Sequence, residues 1–187
     1  MRPEKIATHI LNDLHRNSNR ISWDDRWLAE AELASLRSLD ARTKCGAVAV
    51  RDNIALASGY NGPIGGVEDI LVPNFDYSER EVFSKKNFML HAEENMIIIA
   101  SKKGVALEGA KVYCTGAPCI PCTHRMYQAG IREFIYPSNT KCVPSVTTTE
   151  EYLEQLEYFK YLTQNKMKIR TVECNIKIAT QASIGES

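Results

Sequence analysis

The sequence has no run of about 18 apolar residues, so no membrane-spanning helix is expected from its 187 residues. It has no net charge either, since 23 Lys and Arg balance 23 Asp and Glu. That argues against a broad basic surface for long nucleic acid. Internal repeats and low-complexity tracts are missing. The opening MRPEKIATHILNDLHRNSNR is mixed and polar, without the apolar centre of a secretion signal. This predicts an intracellular protein, in which thiols stay reduced. The six cysteines then read as free thiols or metal ligands rather than bridges. What is present is ordinary for a globular chain: 44% hydrophobic and 25% charged residues, enough to bury a core without disulfide staples.

The chain is most simply one domain over 1–187, with an N-terminal extension over 1–20. ISWDDRWLAEAELASLRSL predicts the first firm helix. Ser22 suits its N-cap, and Asp24 and Asp25 suit its first turn. Trp27, Leu28, Ala31, Leu33, Ala34 and Leu36 predict its apolar face. Cys45 to Val50 and Ile54 to Tyr60 read as a hairpin around the polar turn Arg51-Asp52-Asn53. Residues 67–90 lack clean periodicity and read as a long loop or insertion, a common form for a functional lid.

From His91 to Lys103 the pattern is helical and Gly104 stops it. AKVYCT reads as a strand, CIPCTHRMYQAG as a helix ending at Gly130, and REFIYP as a strand. TTTEEYLEQLEYFKYLTQNK reads as an amphipathic helix capped by Thr148 or Thr149, with its apolar and aromatic residues facing a core. KIRTVECNI is the last strand. The order predicts a three-layer α/β (αβα) domain on a mixed five-stranded sheet. Its opening hairpin is antiparallel and its last strands, joined by helical crossovers, run parallel.

Two short stretches carry chemistry. Cys119 and Cys122 lie three apart at a helix start, after Pro118 and around Pro121. The helix end favours thiolates, and paired thiolates suit zinc. A CxxC has three readings: a redox dithiol, half of a closed structural zinc site, or a catalytic zinc site with three protein ligands and an open position for water. Cys45, Cys114, Cys142 and Cys174 stand alone, so no second pair offers itself. The third reading needs one more ligand and a base. His91 and Glu93 in HAEEN supply them, His91 as ligand and Glu93 as the group that moves protons. Alone, HAE also fits a polar helix start. Glu94 reads as a plain first-turn acid and Asn95 as a polar support of the helix.

The pair HxE and PCxxC resembles the signature of zinc nucleobase deaminases, in which Glu is the acid/base and not a ligand. The span from Ser22 to Tyr136 further resembles the deoxycytidylate (dCMP) deaminases. SWDDRWLAEAELASLRSLDARTKCGAVAVRDNIALASGYNG is similar to their first helix, lysine before the hairpin and GYNG motif. HAEENMI is similar to their HAExNAI, and YCTGAPCIPCTHRMYQAGIREFIY to their YxTxxPCxxCAKxIxxxGIxxVxY.

The resemblance implies a cytidine-deaminase-like fold and one catalytic Zn2+ on His91, Cys119 and Cys122, with Glu93 catalytic. It implies that Asn61 hydrogen-bonds the sugar and that Ala92 main chain and Pro118 line the pyrimidine site. Lys44 and Arg42 would lie near the 5′-phosphate; both also fit a solvated basic turn, and Asn61 fits a plain turn residue. It implies dCMP deaminated to dUMP and ammonia, a homo-hexamer, and dCTP and dTTP as effectors. The departures are Cys45 for the usual Val, Thr123-His124 for Ala-Lys, and Thr140 where a pocket-closing Tyr is common. NGPIGG stands for NGxPxG and is similar to the NRPIG of tRNA adenosine deaminases. Alternatives are therefore a deaminase of dCTP or a 5-modified dCMP, a tRNA or polynucleotide deaminase, and a zinc-stabilised interaction module without catalysis.

Overall fold

The computed structural model describes residues 20–40, 43–65, 89–140 and 149–174. Arg42, Cys142, Thr148, almost all of the 1–20 extension and residues 67–88 of the expected loop lie outside them. Helix α1 spans Trp23–Ser35 and is followed by the hairpin β1 (Gly46–Arg51) and β2 (Ile54–Tyr60). Then come α2 (Ala92–Lys102), β3 (Lys111–Cys114), α3 (Ile120–Gln128), β4 (Glu133–Pro137), α4 (Thr149–Gln164) and β5 (Lys168–Val172). The sheet order is β2-β1-β3-β4-β5. β1 pairs antiparallel with β2 and β3, whereas β3, β4 and β5 run parallel. This is the mixed five-stranded α/β sheet expected from the pattern. Among the described residues no helix is long and apolar enough to cross a membrane.

Alternation along β1 builds the layers, because successive side chains point to opposite faces. Val48 and Val50 join Trp27, Leu28 and Ala31 of α1 on one face. Ala47 and Ala49 join Met96 and Ala100 of α2, Met126 of α3 and Leu162 of α4 in the core on the other face. Two glycines let helices press close to strands. A Cβ on Gly46 would strike the Ala31 carbonyl, and one on Gly59 would strike the backbone of Ala92 and Met96. The hairpin turn is tighter than expected. Arg51 stays in the strand, and Asp52 and Asn53 turn with φ of 52° and 58°. These are residue types that tolerate a left-handed two-residue turn.

Two expectations are corrected. Ser22 does cap α1, accepting from the Asp25 N–H at 3.0 Å, but Leu33 and Leu36 are 58% and 37% exposed. The α1 face against the sheet carries Trp27, Leu28 and Ala31, and its backbone at Ala31 and Ser35 meets Gly46, which turns the leucines outward. Helix α4 is less core-facing than its pattern predicts. Gln155 and Leu162 are buried, but Leu153, Leu156 and Tyr161 are exposed.

α1 is also tied to the sheet by charge. Arg170 of β5 grips both Asp24 oxygens at 2.9 and 3.1 Å. Tyr113 donates to Asp24 at 2.8 Å. The arginine bonds hold the Asp24 carboxyl below its ordinary 3.8, against the opposing pull of burial. A carboxyl lowered in the fold stabilises above its unfolded pKa and loses that contribution as pH falls through the folded value. Asp24→Asn is therefore expected to cost about 1–2 kcal/mol near pH 7. The gap to wild type should shrink below about pH 4. Urea unfolding at both pH values checks this, and a gap that stays constant would contradict it.

Candidate active site

The site forms where two helices begin. His91 is the N-cap of α2, with extended backbone (φ −73°, ψ 157°) and no capping bond from its side chain. Its imidazole is therefore aimed elsewhere. Leu90, just before it, is pinned to the turn after β2: Leu90 N–H donates to Gly62 O at 2.8 Å, and Gly62 N–H returns to Leu90 O at 3.1 Å. Asn95, one turn on, donates to Tyr60 O at 3.0 Å, the supporting role expected of it.

Cys119 is the N-cap of α3, again extended (φ −84°, ψ 163°), with a proline in the first helical positions. Proline costs nothing there, because that N–H has no intrahelical acceptor. Thr123 closes the first turn, its N–H and hydroxyl both donating to Cys119 O at 3.0 and 2.6 Å.

The two helix ends bring three ligand types together. His91 Nδ1 lies 3.4 Å from Cys119 Sγ and 3.4 Å from Cys122 Sγ. These atoms form the one metal-capable His/Cys/Asp/Glu group found among the described residues. Nitrogen and sulfur sharing a tetrahedral zinc would stand about 3.6 Å apart, so the donor set fits that ion. The charges fit as well. The Cys119 thiol is pulled well below its ordinary range, first by a hydrogen bond from Cys122 and then by His91. Cys122 is pushed up, first by its hydrogen bond to Cys119 and then by burial. The Cys119 bond raises His91 against the effect of burial. A bound cation would displace the thiol protons of the pair.

Glu93 stands outside the ligand group. It is 5% exposed, and burial pushes its carboxyl up to about 7, opposed by its own N–H and the His91 charge. A carboxyl held there can give and take a proton at neutral pH. Glu94 proves more than a first-turn acid. It pairs with Arg125 of α3 at 3.4 Å and so spans the two site helices.

The expected substrate positions are placed unevenly. Ala92 is fully buried at the first position of α2, where the N–H has no intrahelical acceptor. Asn61 is buried and largely engaged by its own chain. Its amide donates to Asp40 Oδ2 at 3.1 Å and Thr43 O at 2.8 Å, and its Oδ1 accepts from Cys45 N–H at 2.7 Å. One lone pair of Oδ1 is left over. Asn61 thus clamps the segment carrying Lys44, which is exposed. Pro118 is buried. Thr140, at the position where Tyr was expected, donates to Thr115 O beyond the end of β3. The sequence reading missed Asp40 and Gln155, which donates to Pro118 O at 2.8 Å. For Gln155 the one available signal was a glutamine within the amphipathic pattern of α4; for Asp40, which follows α1 outside any helix, there was none.

Residues 21–138 match the model of the family described as the cytidine and deoxycytidylate deaminase zinc-binding region. ComE operon protein 2 of Bacillus subtilis is 40% identical over 130 residues, which cover 67% of this chain and 64% of that protein, just under two thirds of its length. A probable deoxycytidylate deaminase of Drosophila melanogaster is 30% identical over 165 residues, 81% of this chain and 78% of that one. In fold, the chain is similar to the dCMP deaminase of cyanophage S-TIM5 solved with dCMP and dUMP. The TM-score is 0.58 and the identity 24%, over 92% of this chain and 99% of that one. With the matched segment running from the cap of α1 to the end of β4 and enclosing the whole His-Cys-Cys group, the chain belongs to the cytidine and deoxycytidylate deaminase zinc-binding family.

Proposed function

We propose that this chain hydrolyses the 4-amino group of a deoxycytidine nucleotide, converting dCMP and water to dUMP and ammonia. The observation that carries the proposal is the His91-Cys119-Cys122 group with a buried Glu93 beside it but outside it. His91 Nδ1 and the two cysteine sulfurs would hold zinc, which when bound supplies Lewis acidity to activate water. Glu93 would move protons at its carboxylate, taking one from the attacking water, passing it to the pyrimidine ring nitrogen and helping protonate the departing amine. The first-turn N–H of Ala92 is available to orient the ring. The relatives named deoxycytidylate deaminase support the monophosphate as substrate. The same reading extends to a homo-hexamer responsive to dCTP and dTTP.

The test is ammonia release by zinc-loaded protein from dCMP, dCTP, 5-methyl-dCMP and cytidine. We expect dCMP to lead dCTP and cytidine in kcat/KM by about tenfold or more, since a missing or extra phosphate leaves charged partners mismatched. Release from none of the four would refute the deaminase proposal. A lead for dCTP or 5-methyl-dCMP would move the substrate and keep the chemistry.

A further inference from the structure

Helix α4 lies beyond the family-matched segment, which ends at residue 138, yet it reaches the metal-binding loop. Gln155 is only 8% exposed. Its Nε2 donates to the Pro118 carbonyl at 2.8 Å, and Pro118 is the residue before Cys119. Pro118 cannot donate from its own nitrogen, so the loop entering α3 has one fewer main-chain bond with which to hold itself. A buried carbonyl needs a partner, and α4 supplies it through a side chain.

Two more contacts join the same elements. Tyr158, nearly one turn on from Gln155, meets His124 of α3 edge to face, with centroids 4.7 Å apart. Tyr127 of α3 donates from its hydroxyl to Asn165 O, just past α4, at 3.1 Å. The joint therefore runs along α3 from the loop before it to its last turn. It also gives a physical role to His124, one of the positions that departs from the family pattern.

We infer that Gln155 is a positioning residue for the thiolate loop, holding the Pro118 carbonyl so that Cys119 and Cys122 face His91. The inference rests on the zinc reading above for its metal consequence, and on the hydrogen bond alone for its effect on the loop. Gln155 touches no reacting atom. Its loss acts through the spacing of the ligands, and outer-shell changes of this kind typically cost 10- to 100-fold in metal affinity.

Gln155→Met keeps the volume and removes the donor. Gln155→Glu keeps the shape and, read at alkaline pH where its carboxyl is ionised, cannot donate. Leu162→Ala is the control, since it loosens α4 at a core position without touching Pro118. Zinc affinity is read by competition with a chromogenic chelator. Cys119 alkylation by iodoacetamide is read by mass on metal-free protein. We expect both Gln155 variants to bind zinc about tenfold more weakly and to alkylate at Cys119 at least severalfold faster. Leu162→Ala should lower the melting temperature while leaving both readings near wild type. Gln155 variants that match wild type in affinity and alkylation, or merely match Leu162→Ala, would overturn the inference. Wild-type protein that takes up no zinc or releases no ammonia would instead strike the deaminase proposal. The alkylation comparison would still decide the role of Gln155.

Discussion

Glu93→Gln is expected to keep zinc at wild-type occupancy and to cut kcat for dCMP by about three orders of magnitude. The amide has the shape of the carboxyl, so the packing that leaves Glu93 5% exposed need not change. What it loses is the capacity to carry a proton between water, ring and leaving amine. Because Glu93 lies outside the His-Cys-Cys group, all three ligand atoms remain and the site should still fill with zinc. The metal-free variant should melt at or above wild type, since an amide costs less to bury than a carboxylate. That second readout separates lost chemistry from lost folding. Zinc content by mass spectrometry and initial rates of ammonia release make the test. Turnover within tenfold of wild type would remove Glu93 from the proton path. Loss of zinc would make it part of the metal site.

Much of this site was legible because its parts are local. A histidine directly before an apolar helix, and two cysteines three apart at another helix start, announce their geometry through the helical period alone. The hairpin was legible because Asp52 and Asn53 accept positive φ. What spacing cannot convey is which helix meets which strand, and how closely. Leu33 and Leu36 satisfy the helical pattern yet face outward, because α1 meets the sheet through Trp27, Leu28 and Ala31, with its backbone close against Gly46. In α4 the aromatic and apolar positions suggested a core face, whereas the residue that matters to the site is the glutamine among them. Asn61 reads as a sugar contact by resemblance. Only the fold shows that three of its hydrogen-bonding positions already serve Asp40, Thr43 and Cys45. In each case the missing information was a tertiary partner distant in the chain.

Cys122→Ala is expected to abolish zinc retention and activity together. Cys122 is buried, and its sulfur is one of only two soft ligands in the group. Removing one of three ligands should weaken zinc on the order of 10³-fold or more, enough to strip the metal during purification. Added zinc should not restore ammonia release. The informative partner is Cys114→Ala. Cys114 is a buried thiol at the end of β3, the strand that leads toward the cysteine loop, yet it is not among the three grouped ligands. If zinc has three protein ligands and a position open to water, Cys114→Ala keeps the metal and most of the turnover, losing only packing. If Cys114 closes the site as a fourth ligand, both variants lose zinc and the centre is structural. A zinc-loaded, active Cys114→Ala beside a zinc-free, inactive Cys122→Ala thus distinguishes a catalytic centre from a closed one without a bound substrate.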